Sequence, residues 1–320
     1  MDEDQLPTKE KVDEDLLKEC EKNPGHRKFL SLEQCLNEYE LSSNLPEHYR
    51  KNVDKFKELI KHQADLTVQI VSGDKVGTGF VQKIDSSEIC QCQSCKNSDS
   101  SNILKVLQIS TAAHVLTEPH PDDQEKPTTT CIFFNDSKDP ENIEFDAEKL
   151  VKSYESKETI YLKCNICRTD ITVRLQNSFE RFTELLKTLQ YTYRMRKNSE
   201  ELLVIIVSHP HGGRKRVTIG PRVETNHNNA QYEAATCRGS SGAFPVQIGG
   251  LVQNQPSVHV GCIKKGTEMN NKEQRDECIN VSDVFIEKKI LAKSIYHRCI
   301  DNLKRLLSRL LENFQAVGAC

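Results

Sequence analysis

At 320 residues the chain is longer than one typical domain, although barrel-type β proteins of about 200 to 250 residues fold as one unit, so a sizeable core is available. Charged side chains make up 28% of it, yet 44 basic and 47 acidic residues nearly cancel to a formal charge of −3, a balance without a footprint for nucleic acid or membrane. Thirteen cysteines would suit a secreted disulfide scaffold, but the number is odd and the amino terminus MDEDQLPTKEKVDEDLLKE has no apolar signal core. They therefore read as reduced thiols or metal ligands, and the expected location is cytoplasmic.

Residues 1–64 read as a helical amino-terminal extension. Val12 and Leu16 share a helical face, as do Val53, Phe56 and Ile60, and Pro46 fits the opening of the last helix. From Leu66 the apolar period shortens, and LTVQIVS, TGFVQKI, ILKVLQIS, CIFFN, TIYLKC and DITVRL are separated by turn formers. These six strands fit a first β-barrel over 65–177. A helical stretch, FERFTELLKTLQYTYRMRK, is expected to connect at 178–200. A second strand series over 201–280 comprises ELLVIIVSHP, KRVTIG, QYEAAT, GAFPVQIG and SVHVGCI. A carboxy-terminal helix over 281–320 is expected to start at the N-cap Ser282. Its seam, Tyr296, Ile300, Leu303, Leu307, Leu310 and Phe314, steps by four and three, a spacing that serves docking within the chain or a partner helix.

Three motifs carry chemistry. Ser110-Thr111-Ala112-Ala113-His114 ends a strand after small residues, which lets the histidine face a cleft. Thr169-Asp170-Ile171-Thr172-Val173 places a carboxylate at the opening of an apolar segment, and Gly239-Ser240-Ser241-Gly242-Ala243 places a hydroxyl on a glycine-bounded turn. Upstream stands Gly77-Thr78-Gly79-Phe80.

In the order His, Asp, Ser these segments resemble the TAAH, T-D-I/L-A-V and G-D/N-S-G-G motifs of chymotrypsin-like serine peptidases, and Gly77–Phe80 resembles the G-S/T-G-F strand start of their high-temperature-requirement branch. Over roughly residues 66–265 the chain is similar to intracellular, non-digestive members, and as a whole it resembles trypsin-like proteins of invertebrates. The resemblance implies a mostly β fold of two six-stranded antiparallel β-barrels, with amino-terminal helices, an inter-barrel helix and a long carboxy-terminal helix. It also implies a serine endopeptidase with Ser241 as nucleophile, His114 as general base and Asp170 as orienting acid. The N–H groups of Gly239 and Ser241 would form the oxyanion hole. No cofactor is required for such catalysis, and the partner is a protein or peptide substrate.

Some positions depart from the family pattern. Ser240 replaces the aspartate that captures a new amino terminus in digestive trypsins. Ala243 replaces a glycine, which favours an alternative reading as a catalytically inactive protease-fold protein that binds a partner. Ala235, six residues before the nucleophile, offers no counter-charge for a basic P1 side chain. Ser257-Val258-His259-Val260-Gly261 resembles the H-V-G strand of picornaviral cysteine proteases of this fold, so His259, with Ala235, Val260 and Gly261, would line a pocket for P1 glutamine or glutamate.

Cys90-Gln91-Cys92-Gln93-Ser94-Cys95 and Cys164-Asn165-Ile166-Cys167 have zinc-ligand spacings. Cys92, Cys95, Cys164 and Cys167 form the preferred structural zinc set, with Cys90 or Cys131 as replacements. His209-Pro210-His211-Gly212-Gly213 reads more simply as a turn than as metal ligands, and the offset of Cys237 does not match a nucleophile.

Overall fold

The computed structural model describes residues 20, 22–90, 103–117, 128–134, 143–150, 158–194, 202–225, 229–249, 257–264 and 278–284. Val12, Leu16, Cys92, Cys95 and the seam from Tyr296 to Phe314 lie outside the described residues.

Four short to medium helices precede the strands: α1 (Leu32–Leu36), α2 (Glu38–Asn44), α3 (Glu47–Arg50) and α4 (Val53–Leu66). Their starts are written in side chains. The Ser31 hydroxyl accepts from the Gln34 N–H while the Gln34 side chain accepts from the Ser31 N–H, and Asn37 accepts from the N–H groups of Tyr39 and Glu40. Pro46 precedes α3, and α4 begins later, after Asn52. Along α4, Val53, Phe56, Leu59, Ile60 and Ala64 are buried, the repeat of a single apolar face.

Strands β2 (Thr67–Ser72), β3 (Lys75–Ile89), β4 (Ile103–Ala112), β5 (Thr129–Phe133), β6 (Ile143–Leu150) and β7 (Thr159–Ile166) close an antiparallel barrel in the order β2-β3-β4-β7-β6-β5. The sixth strand is not the one expected. IEFDAEKL forms β6, while DITVRL belongs to helix α5 (Thr169–Tyr193), which therefore begins earlier than Ser178. The reason is periodicity. Ile171, Leu175, Ser178, Phe182, Leu186, Leu189 and Tyr193 are buried at steps of three and four, whereas Val173, which a strand would bury beside Ile171 and Leu175, is 52% exposed.

The second sheet contains β8 (Leu203–Ser208), β9 (Arg216–Thr225), β10 (Asn229–Tyr232), β11 (Pro245–Ile248), β12 (Ser257–Lys264) and β13 (Cys278–Val284) in the order β11-β8-β9-β10-β13-β12. A short strand, β1 (Leu30–Ser31), pairs with β9 and brings the amino-terminal segment onto this sheet. Ser282 is not a helix cap. It lies in β13 opposite Ala230 and His259, because the alternating segment CINVSDV completes the sheet. Numbered from its own first strand, the first set runs one-two-three-six-five-four around a closed barrel, and the second is an open sheet in the order four-one-two-three-six-five. In the second, β12 reaches the chain ahead of β11 through the Gly242 N–H to His259 O and His259 N–H to Ala243 O bonds, each 2.8 Å.

One apolar core joins α4 and α5 to both strand sets, with Leu66, Val68, Phe80, Leu107, Phe182, Leu189, Ile205 and Val246 among its members. No helix of the described residues is long and apolar enough to cross a membrane.

Candidate active site

His114 stands in a single helical turn, Ala113–Val115, at the end of β4, and its side chain is 48% exposed. The turn is fixed from below: Val115 is buried, and the Ala113 N–H donates to Glu158 O at 2.7 Å. Ser241 lies in the loop between β10 and β11, partly buried, between Gly239 (φ 86°) and Gly242 (φ 89°), whose positive φ values suit glycine.

Four contacts bring these two segments together across the junction of the strand sets. The Thr78 N–H donates to Ser241 O at 2.8 Å, the Thr78 hydroxyl donates to Gly239 O at 2.7 Å and accepts from the His209 N–H at 3.0 Å, and the Thr111 hydroxyl donates to Thr78 O at 2.7 Å. A side chain at Gly242 would collide with Thr78 O and Thr111, and one at Gly77 would collide with Val115 while meeting Ser241 O at 3.1 Å. The Gly77-Thr78-Gly79-Phe80 segment is thus the clamp that seats the Ser241 turn beside the end of the His114 strand. Among the described residues, no protein acceptor takes the N–H of Gly239 or of Ser241.

The carboxylate facing His114 is not that of Asp170. Asp170 sits on the first turn of α5, 65% exposed, with its carboxylate bonded to Arg168 at 2.7 Å, and its interactions include none with His114. The Arg168 hydrogen bond holds its pKa below the usual carboxylate value, and the helix N-terminus favours an acid there without any catalytic role. The group beside the imidazole is Glu158, whose Oε2 lies 4.0 Å from His114 Nδ1. That distance is too long for a hydrogen bond, and both side chains are about half exposed. A signal for Glu158 was present in the sequence: TIYLKC pairs with ILKVLQIS so that Thr159 faces Ala112, which sets the acid that opens this strand next to the histidine turn.

Ser240 is fully buried, with its hydroxyl 3.0 Å from that of Ser208 and accepting from the Cys237 N–H at 3.3 Å. An uncharged internal bond to β8 therefore occupies the place where a zymogen-type aspartate would need a new amino terminus. The Ala243 methyl lies in a buried cluster with Val204, Ile206, Tyr232 and Ala234 in the core of the second sheet.

His259 is 2% exposed on β12, and its Nδ1 lies 2.7 Å from the hydroxyl of fully buried Tyr232. Burial pushes the Tyr232 pKa well above its ordinary value, so the phenol keeps its proton. The two backbone bonds of His259 to Gly242 and Ala243 hold it beside the Ser241 turn. Val260 is partly buried, and the space around Gly261 is open where a side chain would stand. Ala235 is buried among Cys20, Phe29 and Cys237.

Cys92 and Cys95 of the expected zinc set lie outside the described residues. Cys131 and Cys164 are fully buried on β5 and β7 inside the first barrel, where burial pushes Cys164 up to about 12 and raises Cys131 well above its ordinary value, a setting for neutral thiols. Cys167 is partly exposed, and among the described residues Cys90, Cys131, Cys164 and Cys167 do not converge as ligands. A different group converges: Cys20, His26, His211 and Cys237. Burial, reinforced by Cys20, pushes the Cys237 thiol up to about 12, which makes it a poor nucleophile. His209, by contrast, is structural. Its ring is buried with Nδ1–H donating to Gly213 O at 2.8 Å, and burial, with Lys215 nearby, lowers its pKa to about 3.

No family model and no curated protein matches the chain. Among solved structures it is similar to Deg5, with 13% identity over 63% of this chain and 81% of that one, at a TM-score of 0.37. It is also similar to the HtrA-type protease AlgW (12% identity, 71% of this chain and 58% of that one, TM-score 0.38) and to Glu endopeptidase (15% identity, 73% and 90%, TM-score 0.39). These are serine proteases of the chymotrypsin fold, and none bears on the resemblance to invertebrate proteins.

Proposed function

We propose that the chain is a serine endopeptidase whose two strand sets act as the paired barrels of a chymotrypsin-like enzyme, with Ser241 as nucleophile, His114 as general base and Glu158, in place of Asp170, as the carboxylate that steadies the imidazole. The observation that carries this reading is the clamp by Thr78, Thr111, Gly77 and Gly242, which seats the Ser241 turn against the end of the His114 strand. The strand order of the second set, a cyclic permutation of the first, supports it independently.

In this mechanism Ser241 Oγ attacks the peptide carbonyl carbon as its proton passes to His114. The N–H groups of Gly239 and Ser241 hold the oxygen that becomes negative, a role worth about 3 kcal/mol per donor in such sites. His114 then gives the proton to the leaving amine, and water repeats the cycle on the acyl-enzyme. Glu158 stabilises the imidazolium between these steps.

His259 reads the P1 residue. With the Tyr232 O–H donating to Nδ1, Nε2 carries the ring hydrogen. Gly261 and Val260 line the strand next to it, and Ala235 supplies no charge. A peptide library tests the reading: cleavage after glutamine or glutamate is expected, lost in Ser241→Ala and redistributed in His259→Ala. Cleavage that persists in Ser241→Ala would disprove the nucleophile, and an unchanged profile in His259→Ala would disprove the specificity.

A further inference from the structure

Four side chains from three distant parts of the chain meet behind the nucleophile turn. Cys20 precedes, and His26 ends, a short helical turn of the amino-terminal segment, Pro24–His26. His211 lies in the turn Pro210–Gly212 between β8 and β9, and Cys237 lies in the loop that carries Ser241. Their ligand atoms all fall within 4.8 Å of one another. Cys20 Sγ is 3.3 Å from Cys237 Sγ, Cys237 Sγ is 3.3 Å from His26 Nε2, and His26 Nε2 is 3.2 Å from His211 Nε2.

We infer that Cys20, His26, His211 and Cys237 form a structural zinc site that fastens the amino-terminal segment to the oxyanion turn. Two sulfurs at about 2.3 Å and two nitrogens at about 2.0 Å from a tetrahedral zinc stand about 3.3 Å apart for the nitrogens and about 3.8 Å for the sulfurs. The nitrogen pair already has that separation, and the sulfurs need to part by about half an ångström. Two thiolates cancel the charge of a divalent cation, so the complex is neutral and suits residues that are buried or nearly so. On binding, the two thiols release their protons to solvent, and each imidazole contributes a lone pair.

Two further observations point the same way. Asn23 aims two donors at the sulfurs, its N–H to Cys20 Sγ at 3.4 Å and its side-chain amide to Cys237 Sγ at 3.1 Å. Thiols are weak acceptors, whereas metal-bound thiolates commonly take such bonds. In addition, only three non-glycine residues among those described have positive φ, and two of them are His26 (48°) and His211 (55°). Backbone held in that region needs a local reason, and presenting a ligand is one.

The consequence concerns the active site. The His211 N–H donates to Arg238 O, and Gly239 packs against the His209–Gly212 turn so closely that a side chain there would collide with it. All four positions around the metal are taken by protein, so the site shapes this turn and activates no water.

The test is elemental analysis of the full-length protein purified in reductant, together with the visible spectrum after exchange with cobalt(II). About one zinc per chain and a tetrahedral cobalt–thiolate spectrum are expected. Both should disappear in Cys20→Ser and in His211→Asn, chosen because asparagine tolerates positive φ, and persist in the double variant Cys92→Ser/Cys95→Ser. Zinc unchanged in Cys20→Ser or His211→Asn, zinc lost only in the double variant, or a Cys20–Cys237 disulfide in the intact protein would each overturn the assignment. Where a variant does not fold, thiol alkylation of the wild type decides: chelator should accelerate modification of Cys20 and Cys237, and equal rates with and without chelator refute the site.

Discussion

Exchanging the acid that serves His114 separates the proposed site from the motif that first suggests it. Glu158 Oε2 is 4.0 Å from Nδ1, and both side chains are about half exposed, so the medium between them lies between bulk water and a protein surface. Unit charges at 4 Å attract by about 1 kcal/mol in water and about 4 kcal/mol at an effective dielectric constant of about 20. Glu158→Ala removes that stabilisation of the imidazolium and should slow acylation by about 5-fold to 1,000-fold. Asp170→Asn weakens an exposed pair with Arg168 and local backbone bonds at the helix start and should leave the rate within about 2-fold. The assay is the rate at which a fluorophosphonate labels Ser241, measured on variants whose circular dichroism matches the wild type. A large loss in Asp170→Asn with none in Glu158→Ala would refute the reassignment.

Other consequences are open to measurement. Thr78→Val keeps the shape but leaves His209 N–H and Gly239 O without their partner; it should cost about 2–4 kcal/mol by denaturant unfolding and slow labelling, and a neutral result would remove the clamp from the account. Ile171→Ala, on the buried face of α5, should destabilise by about 2–5 kcal/mol, while Val173→Ala should stay within about 0.5 kcal/mol; equal costs would restore a strand there. His209, lowered to about 3 when folded against 6.5 when unfolded, binds protons more tightly in the unfolded chain. Its contribution is therefore complete above about pH 6.5 and is lost as pH falls toward 3, at up to about 1.4 kcal/mol per pH unit. His209→Asn should flatten that part of the unfolding curve, and an unchanged slope would show that the ring charges freely.

The architecture was legible wherever pattern and turn chemistry agreed. LTVQIVS, ILKVLQIS and LVIIVS are apolar enough to read as buried strands, and GSSGA is bounded by glycines that the turn requires. DITVRL misled because Ile171, Val173 and Leu175 satisfy a two-residue repeat within six residues, and only the longer run to Tyr193 reveals the helical one. With Asp170 moved onto that helix, its likeness to an orienting aspartate became a matter of letters alone. IEFDAEKL and CINVSDV carry a weak strand signal because each mixes charged or polar residues into the run, and their strands are visible only through their pairing. The Cys20, His26, His211 and Cys237 group could not be seen from spacing, since β1 pairing with β9 and the close approach of two loops bring it together. Local spacing instead favoured Cys164 and Cys167, although β7 turns the first of these into the barrel.

The central claim is that Ser241 is a nucleophile activated by His114. Treating folded protein with a fluorophosphonate and mapping the adduct by tandem mass spectrometry tests it most directly. One adduct on Ser241 is expected, with none in Ser241→Ala and strongly slowed labelling in His114→Ala. Folded wild-type protein that acquires no adduct, or acquires it equally fast without His114, would contradict it.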